Sequence, residues 1–171
     1  MADDASVPAA PRRRHNGHHV APPLRPLRPD HRFAHARVLV QRAEVGAARE
    51  PLYTVPEWAF PQGVELTEID GDHQVAPGIE IIATPGHTVG HQSVLIDDGN
   101  GQRIIACCQG SWNAESFNAT ELGDDGWDRA VGAESMRRLH SLQPTSVLFS
   151  HDSRPWSPGE SVGPALDEPS E

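Results

Sequence analysis

The sequence predicts an α+β fold in which a mostly antiparallel sheet packs against one late amphipathic helix. Three observations predict it. Short β-branched or apolar runs at 79–83, 92–97 and 103–108 are separated by Gly, Pro, Asp and Asn turns. Residues 128–142 place Val131, Ser135, Leu139 and Leu142 on one helical face. The first 32 residues, by contrast, carry no sustained period. At 171 residues the chain suits one domain, and its hydrophobic share of 37% supports a core only if most of the remaining residues fold.

Residues 1–32 are rich in Arg, Pro and His, and Pro22, Pro23, Pro26 and Pro29 prevent regular structure there. This segment is expected to be irregular or disordered, with the folded part running from 33 to 154. "ARVLVQ" (36–41) reads as a short buried strand, and "RAEVGAARE" as a helix that stops before Pro51. "VELTEID" and "GDHQVAPGIEIIATPG" read as strands joined by turns at Asp70–Asp72 and Pro77–Gly78. The runs 92–97 and 103–108 flank "DDGNGQ" and form a hairpin. The helix over 128–142 exposes Arg137 and Arg138, "TSVLFSHD" is a final strand entering a polar loop, and 155–171 form a loose, disordered tail.

Charge divides the chain in the same way. Residues 1–37 hold seven of the 14 arginines against three acids, whereas the rest sets seven arginines against 21 acids. An acidic body and a head without aromatic interleaving argue against nucleic-acid binding. No apolar run is long enough to span a membrane and no apolar stretch follows Met1, so no membrane role and a cytoplasmic location are expected. Cys107 and Cys108 stand side by side in an apolar run, which reads as buried strand residues rather than a disulfide or zinc knuckle. No glycine-flanked serine elbow is present, which argues against a serine hydrolase.

Polar residues follow three of the apolar strands: His87, Gln109 and His151. They are far apart in sequence, yet strand ends of one sheet bring side chains together. His87 stands at the mouth of a Gly/Pro turn, a good place for a metal ligand.

At these residues the chain resembles a family. "TPGHTVGHQSVLI", "IIACCQGSWNAESF" and "VLFSHD" resemble the second half of a metallo-β-lactamase-fold metallo-hydrolase, and "ARVLVQRAEVGAARE" adds similarity to its N-acyl-homoserine lactonase-like branch. The resemblance implies an αββα sandwich, here incomplete in its N-terminal half, so that an apolar sheet face is left uncovered and aggregation is expected. It implies two zinc ions, a small lactone or ester substrate, and a metal-bound hydroxide that opens the ring. It assigns His87 and His151 as metal ligands and puts Gln109 where a bridging Asp is expected, an amide being the poorer ligand. It sets Trp112 on the substrate side and His91 as a support of the loop rather than a metal ligand, while Asp152 reads as a loop cap or a partner behind a ligand and His73 as solvent-exposed. Oligomeric state is not implied.

The family's HxHxDH motif does not occur in the chain; "HNGHH" (15–19) lacks the acid. A hydrolase impaired in this chain and a non-catalytic remnant or interaction module of the same fold both follow. All 14 basic residues are arginine, a sign of GC-rich codons. With such codons, "APPLRPL" (21–27) read one base later can spell His-x-His-x-Asp-His, so the head also reads as a segment out of frame.

Overall fold

The computed structural model describes residues 37–51, 53, 65–122 and 126–159. The irregular head at 1–32 and most of the expected tail lie outside these residues.

The described chain builds two sheets. Strand β1 (Arg37–Gln41) runs into helix α1 (Arg42–Ala48), and β2 (Glu65–Ile69) returns beside β1 in parallel, Val38 opposite Leu66. The second sheet has five strands in the order β3 (His73–Ala76), β4 (Ile79–Ala83), β5 (Gln92–Asp97), β6 (Arg103–Cys108) and β7 (Ser146–Phe149). Pairing from β3 to β6 is antiparallel through tight turns, and β7 joins β6 in parallel. The expected mostly antiparallel set of strands holds for three of the five pairings, and β1–β2 and β6–β7 are the parallel exceptions. Each connection involved, β1 to β2 and β6 to β7, is a long helix-bearing crossover, and such crossovers bring strands in parallel.

Between β6 and β7 the chain forms α2 (Ala114–Ala119) and α3 (Arg129–Ser141). Helix α2 has too few residues to show a period in sequence. Its cap makes it: the Asn113 side chain accepts from the Ser116 N–H at 2.8 Å, and Thr120 ends it with φ 52°. Helix α3 begins on Asp128, whose carboxylate accepts from Ala130 and Val131.

Strand register decides what each sheet face does. Glu80, Leu95, Ile105 and Val147 line up across β4 to β7. That side carries the core, in which Ile82, Leu95, Ile105, Cys107 and Val147 pack with Phe117 of α2 and Met136 and Leu139 of α3. On the other side stand Ile79, Ile96 and Ile104, with Val94, Ala106 and Leu148 in the next row. There Ile79, Ile96 and Leu148 remain 38%, 41% and 46% exposed. No helix among the described residues is long and apolar enough to cross a membrane.

The two sheets are clasped by amides. Buried Gln41 donates to the Gly71 carbonyl and accepts from its N–H, while Gln92 donates to the Leu39 carbonyl at 3.0 Å. Within the expected loose tail, Trp156 packs against the core. Trp156 exchanges both backbone hydrogen bonds with Val147, and its indole N–H donates to Asn118 while its ring meets Phe117 edge-on.

Candidate functional site

Strands β4, β6 and β7 point the same way, because β5 is antiparallel to both β4 and β6 and β7 is parallel to β6. Their C-terminal ends therefore lie on one rim of the sheet. The loop with His87, the turn with Gln109 and the loop with His151 all leave from that rim.

The loop after β4 is held from several directions. Thr84 N–H donates to the His91 carbonyl at 2.9 Å, closing the loop at its base. The Gly86 and His87 carbonyls accept from Asp128 and Trp127, and the buried Ser135 hydroxyl donates to the Pro85 carbonyl at 2.6 Å. Gly86 has φ 144°, and a Cβ there would lie 2.3 Å from the Gly132 Cα, so the loop lies directly on the first turns of α3. From the opposite side Glu44 of α1 accepts the Gly90 N–H at 2.9 Å and the Tyr53 hydroxyl at 2.8 Å.

His91 supports this loop as the sequence suggested. Its Nδ1 lies 3.0 Å from the Thr84 carbonyl and 2.9 Å from the Thr84 hydroxyl, which in turn meets Ser93. A carbonyl only accepts, so Nδ1 carries the hydrogen and neutral Nε2 keeps its lone pair. That Nε2 is buried with no hydrogen-bond partner among the described residues. Burial pushes the His91 pKa down to about 4, partly offset by the Thr84 bond, and His87 lowers it further. The His87 and His91 rings meet edge-on with centroids 6.1 Å apart.

The turn after β6 is looser. Register shifts between Ala106 and Cys108, where φ is 54°, and Cys108 is exposed. The expectation of two buried cysteines is therefore half corrected: the bulge turns Cys108 out, while Cys107 is fully buried. Burial pushes the Cys107 thiol up to about 12, which disqualifies it as a nucleophile. Trp112 is exposed and lies over the exposed His151 ring at 5.2 Å. Asp152 caps its loop as expected, its carboxylate accepting from the Arg154 N–H at 2.9 Å, and the Arg154 side chain holds its carboxyl below the usual range. His73 is exposed, as expected.

The structure thus pairs His87 with His91 and Trp112 with His151. Among the described residues no three His, Cys, Asp or Glu side chains gather to hold a metal. A catalytic zinc takes about three protein ligands and keeps one position open. Two imidazoles and the Gln109 amide fall short of that, so the described residues do not complete a zinc centre. The sequence singles out neither Glu44 nor Tyr53 and places Ser135 only on the apolar face of α3, although all three brace the loop. Their signal was slight, although Tyr53 is the chain's one tyrosine.

Comparison with known proteins agrees with this geometry. No family model matches the chain. Over 123 residues it is 32% identical to an N-acyl homoserine lactonase of a Bacillus species and 31% identical to one of Bacillus cereus, covering 70% of this chain and 48% of each relative. A solved quorum-quenching N-acyl homoserine lactone hydrolase superposes with a TM-score of 0.62 at 29% identity, over 71% of this chain and 50% of that one. A lactone hydrolase with N-hexanoyl-L-homoserine at its catalytic metal centre gives 0.62 at 28%, over 71% and 49%. A probable metal-dependent hydrolase of Staphylococcus aureus shares the fold alone, with a TM-score of 0.55 at 17% identity over 67% and 44%. The chain spans about half the length of the curated relatives it matches. With its strand order, its TPGHTVGH loop and these likenesses, the chain is similar to the N-acyl homoserine lactonases and shares their metallo-β-lactamase-type αββα fold, incompletely, over about half of their length.

Proposed function

We propose that this chain is a zinc-dependent lactone or ester hydrolase of the N-acyl homoserine lactonase type, impaired by an incomplete set of metal ligands, and that it works in the cytoplasm. His87 and His151 are its metal donors, Gln109 is a weak third, and Trp112 faces the substrate. The observation that carries the reading is the common direction of β4, β6 and β7, which sends all of these residues to one rim. Bound zinc supplies polarisation of a lactone carbonyl and an acidified water. The protein's own contribution is to hold His87 on a fixed loop and to offer the Trp112 indole as an apolar surface beside His151.

The test joins metal analysis to ring opening. The full chain, equilibrated with zinc and dialysed, is expected to retain less than the two equivalents of a complete dizinc centre and to open an N-acyl homoserine lactone slowly. His87→Ala and His151→Ala are each expected to lower zinc retention. Gln109→Asp, which replaces an amide with a carboxylate, is expected to raise it. A chain that retains no zinc, whatever stands at 87, 109 or 151, is the non-catalytic remnant or interaction module instead. The incomplete ligand set among the described residues favours that second reading.

The reading frame of residues 12–32 belongs to the same proposal, and the coding DNA decides it. A single alternative frame that encodes HxHxDH supports a shifted head, and the absence of any such frame removes it.

A further inference from the structure

Glu44 lies on α1, next to the two-stranded sheet, whereas the His87 loop leaves the five-stranded sheet. Its carboxylate nonetheless uses both oxygens between them. Oε2 accepts the Gly90 N–H at 2.9 Å, and Oε1 accepts the Tyr53 hydroxyl at 2.8 Å. The Thr88 side chain is a further hydrogen-bond partner of Tyr53, so a second loop residue joins the same cluster. Backbone contact reinforces the hydrogen bond. A Cβ on Gly90 would lie 2.4 Å from the Glu44 Cβ and 2.5 Å from the Glu44 backbone nitrogen. The loop is therefore seated against the first turn of α1 at a spacing that only glycine permits.

The other side of the loop rests on α3 through Pro85, Gly86 and His87. Gly90 is the point at which α1 presses from the opposite side. Without that point, residues 88–91 are held by the 2.9 Å bond from Gly86 N–H to the Thr88 carbonyl, by the 3.4 Å contact from His91 N–H to the same carbonyl and by the closure at Thr84.

We propose that Glu44 is the positioning residue of the His87 loop: through Gly90 and Tyr53 it fixes the direction in which the His87 imidazole is presented at the rim. The inference rests on the reading of His87 as a metal donor for its functional meaning, though not for its geometry. Groups that orient a metal-binding histidine typically change metal affinity about 10- to 100-fold when removed.

The test uses the full chain, isotope-labelled, with three variants. Glu44→Ala is expected to speed hydrogen exchange at the Gly90 amide, to move the His87 ring resonances and to weaken binding of zinc alone about ten-fold. Glu44→Gln keeps an acceptor for Gly90 and a polar partner for Tyr53, and is expected to restore all three readouts. If Glu44→Ala does not fold, Tyr53→Phe removes one tether and is expected to shift the same resonances by a smaller amount. Unchanged Gly90 exchange and His87 resonances in Glu44→Ala, or in Tyr53→Phe where Glu44→Ala fails to fold, overturn the inference. So does a Glu44→Gln chain as altered as Glu44→Ala. If the parent chain binds no zinc while the resonances still follow Glu44, the positioning role stands and the hydrolase reading falls. If the parent binds zinc and Glu44→Ala leaves both affinity and loop unchanged, the reverse holds.

Discussion

The two sides of the rim are built to different standards. The loop carrying His87 rests on α1, α3 and β5, with its carbonyls at 85, 86, 87, 88 and 91 all accepting hydrogen bonds. On the side carrying Gln109 and His151 the ties include Gly110 N–H to the Cys107 carbonyl, a 3.3 Å bond from Ser150 N–H to the Cys108 carbonyl, the Asp152 cap on Arg154 N–H, and a tilted contact between the exposed Trp112 and His151 rings. The cause lies in the strands. Strand β4 hands its chain to a loop enclosed by two helices, whereas β6 ends in a bulge that turns Cys108 outward. Preorganisation is therefore one-sided: His87 stands on a loop braced from both sides, and His151 on one with fewer hydrogen bonds.

Glycine substitutions break that contrast most strongly. At Gly86 a new Cβ overlaps the Gly132 backbone at 2.3 and 2.7 Å while φ stands at 144°. Gly86→Ala is expected to cost about 3 kcal/mol or more, because neither backbone can yield without lifting the loop off α3. Gly110→Ala brings its Cβ to 3.1 Å from the Cys107 carbonyl, the Cys107 sulfur and the His91 ring, a crowding that small shifts relieve. There about 1 kcal/mol is expected. Urea denaturation of both variants measures the difference, and equal losses would mean that the two sides are equally rigid.

Acid sharpens the same contrast. His91 titrates near 4 in the folded chain because of its burial, against an ordinary value of 6.5. A depressed pKa means that the neutral ring contributes stability that is complete above pH 6.5 and is lost as pH falls through 4. The loss amounts to roughly 3 kcal/mol. His91→Gln is expected to be less stable than the parent at pH 7 and to show a flatter pH dependence between 6.5 and 4. Melts across that range in both chains check it. A parallel slope in the variant would assign the acid sensitivity to other groups.

What the sequence made legible follows from how local each cause is. Strands β4, β5 and β6 announce themselves through adjacent β-branched residues and tight turns, and α3 through its apolar face. The parallel placement of β2 and β7 depends on long crossovers, and no residue in either strand states it. Helix α2 was hidden because six residues held by an Asn113 cap show no period. The candidate site divides likewise. His87, Gln109 and His151 stand out in the sequence because polar residues interrupt apolar runs there. Glu44 does not, since its partner Gly90 is 46 residues away and a glutamate in a helix's first turn has an ordinary explanation in the helix dipole.

The smallest expected effect lies on the loose side, at Trp112. Its ring is 42% exposed and lies over His151 at 5.2 Å with a tilt of 30°. Half of such a contact already faces water, so Trp112→Ala is expected to cost about 0.5–1 kcal/mol, far less than burial of a tryptophan would suggest. Its consequence is expected in motion rather than stability: the His151 ring resonance shifts and broadens while that of His87 stays put. An unchanged His151 resonance would show that the indole does not hold the ring. Movement of both histidines together would show that the two sides of the rim are coupled, and the contrast between them would then lose its basis.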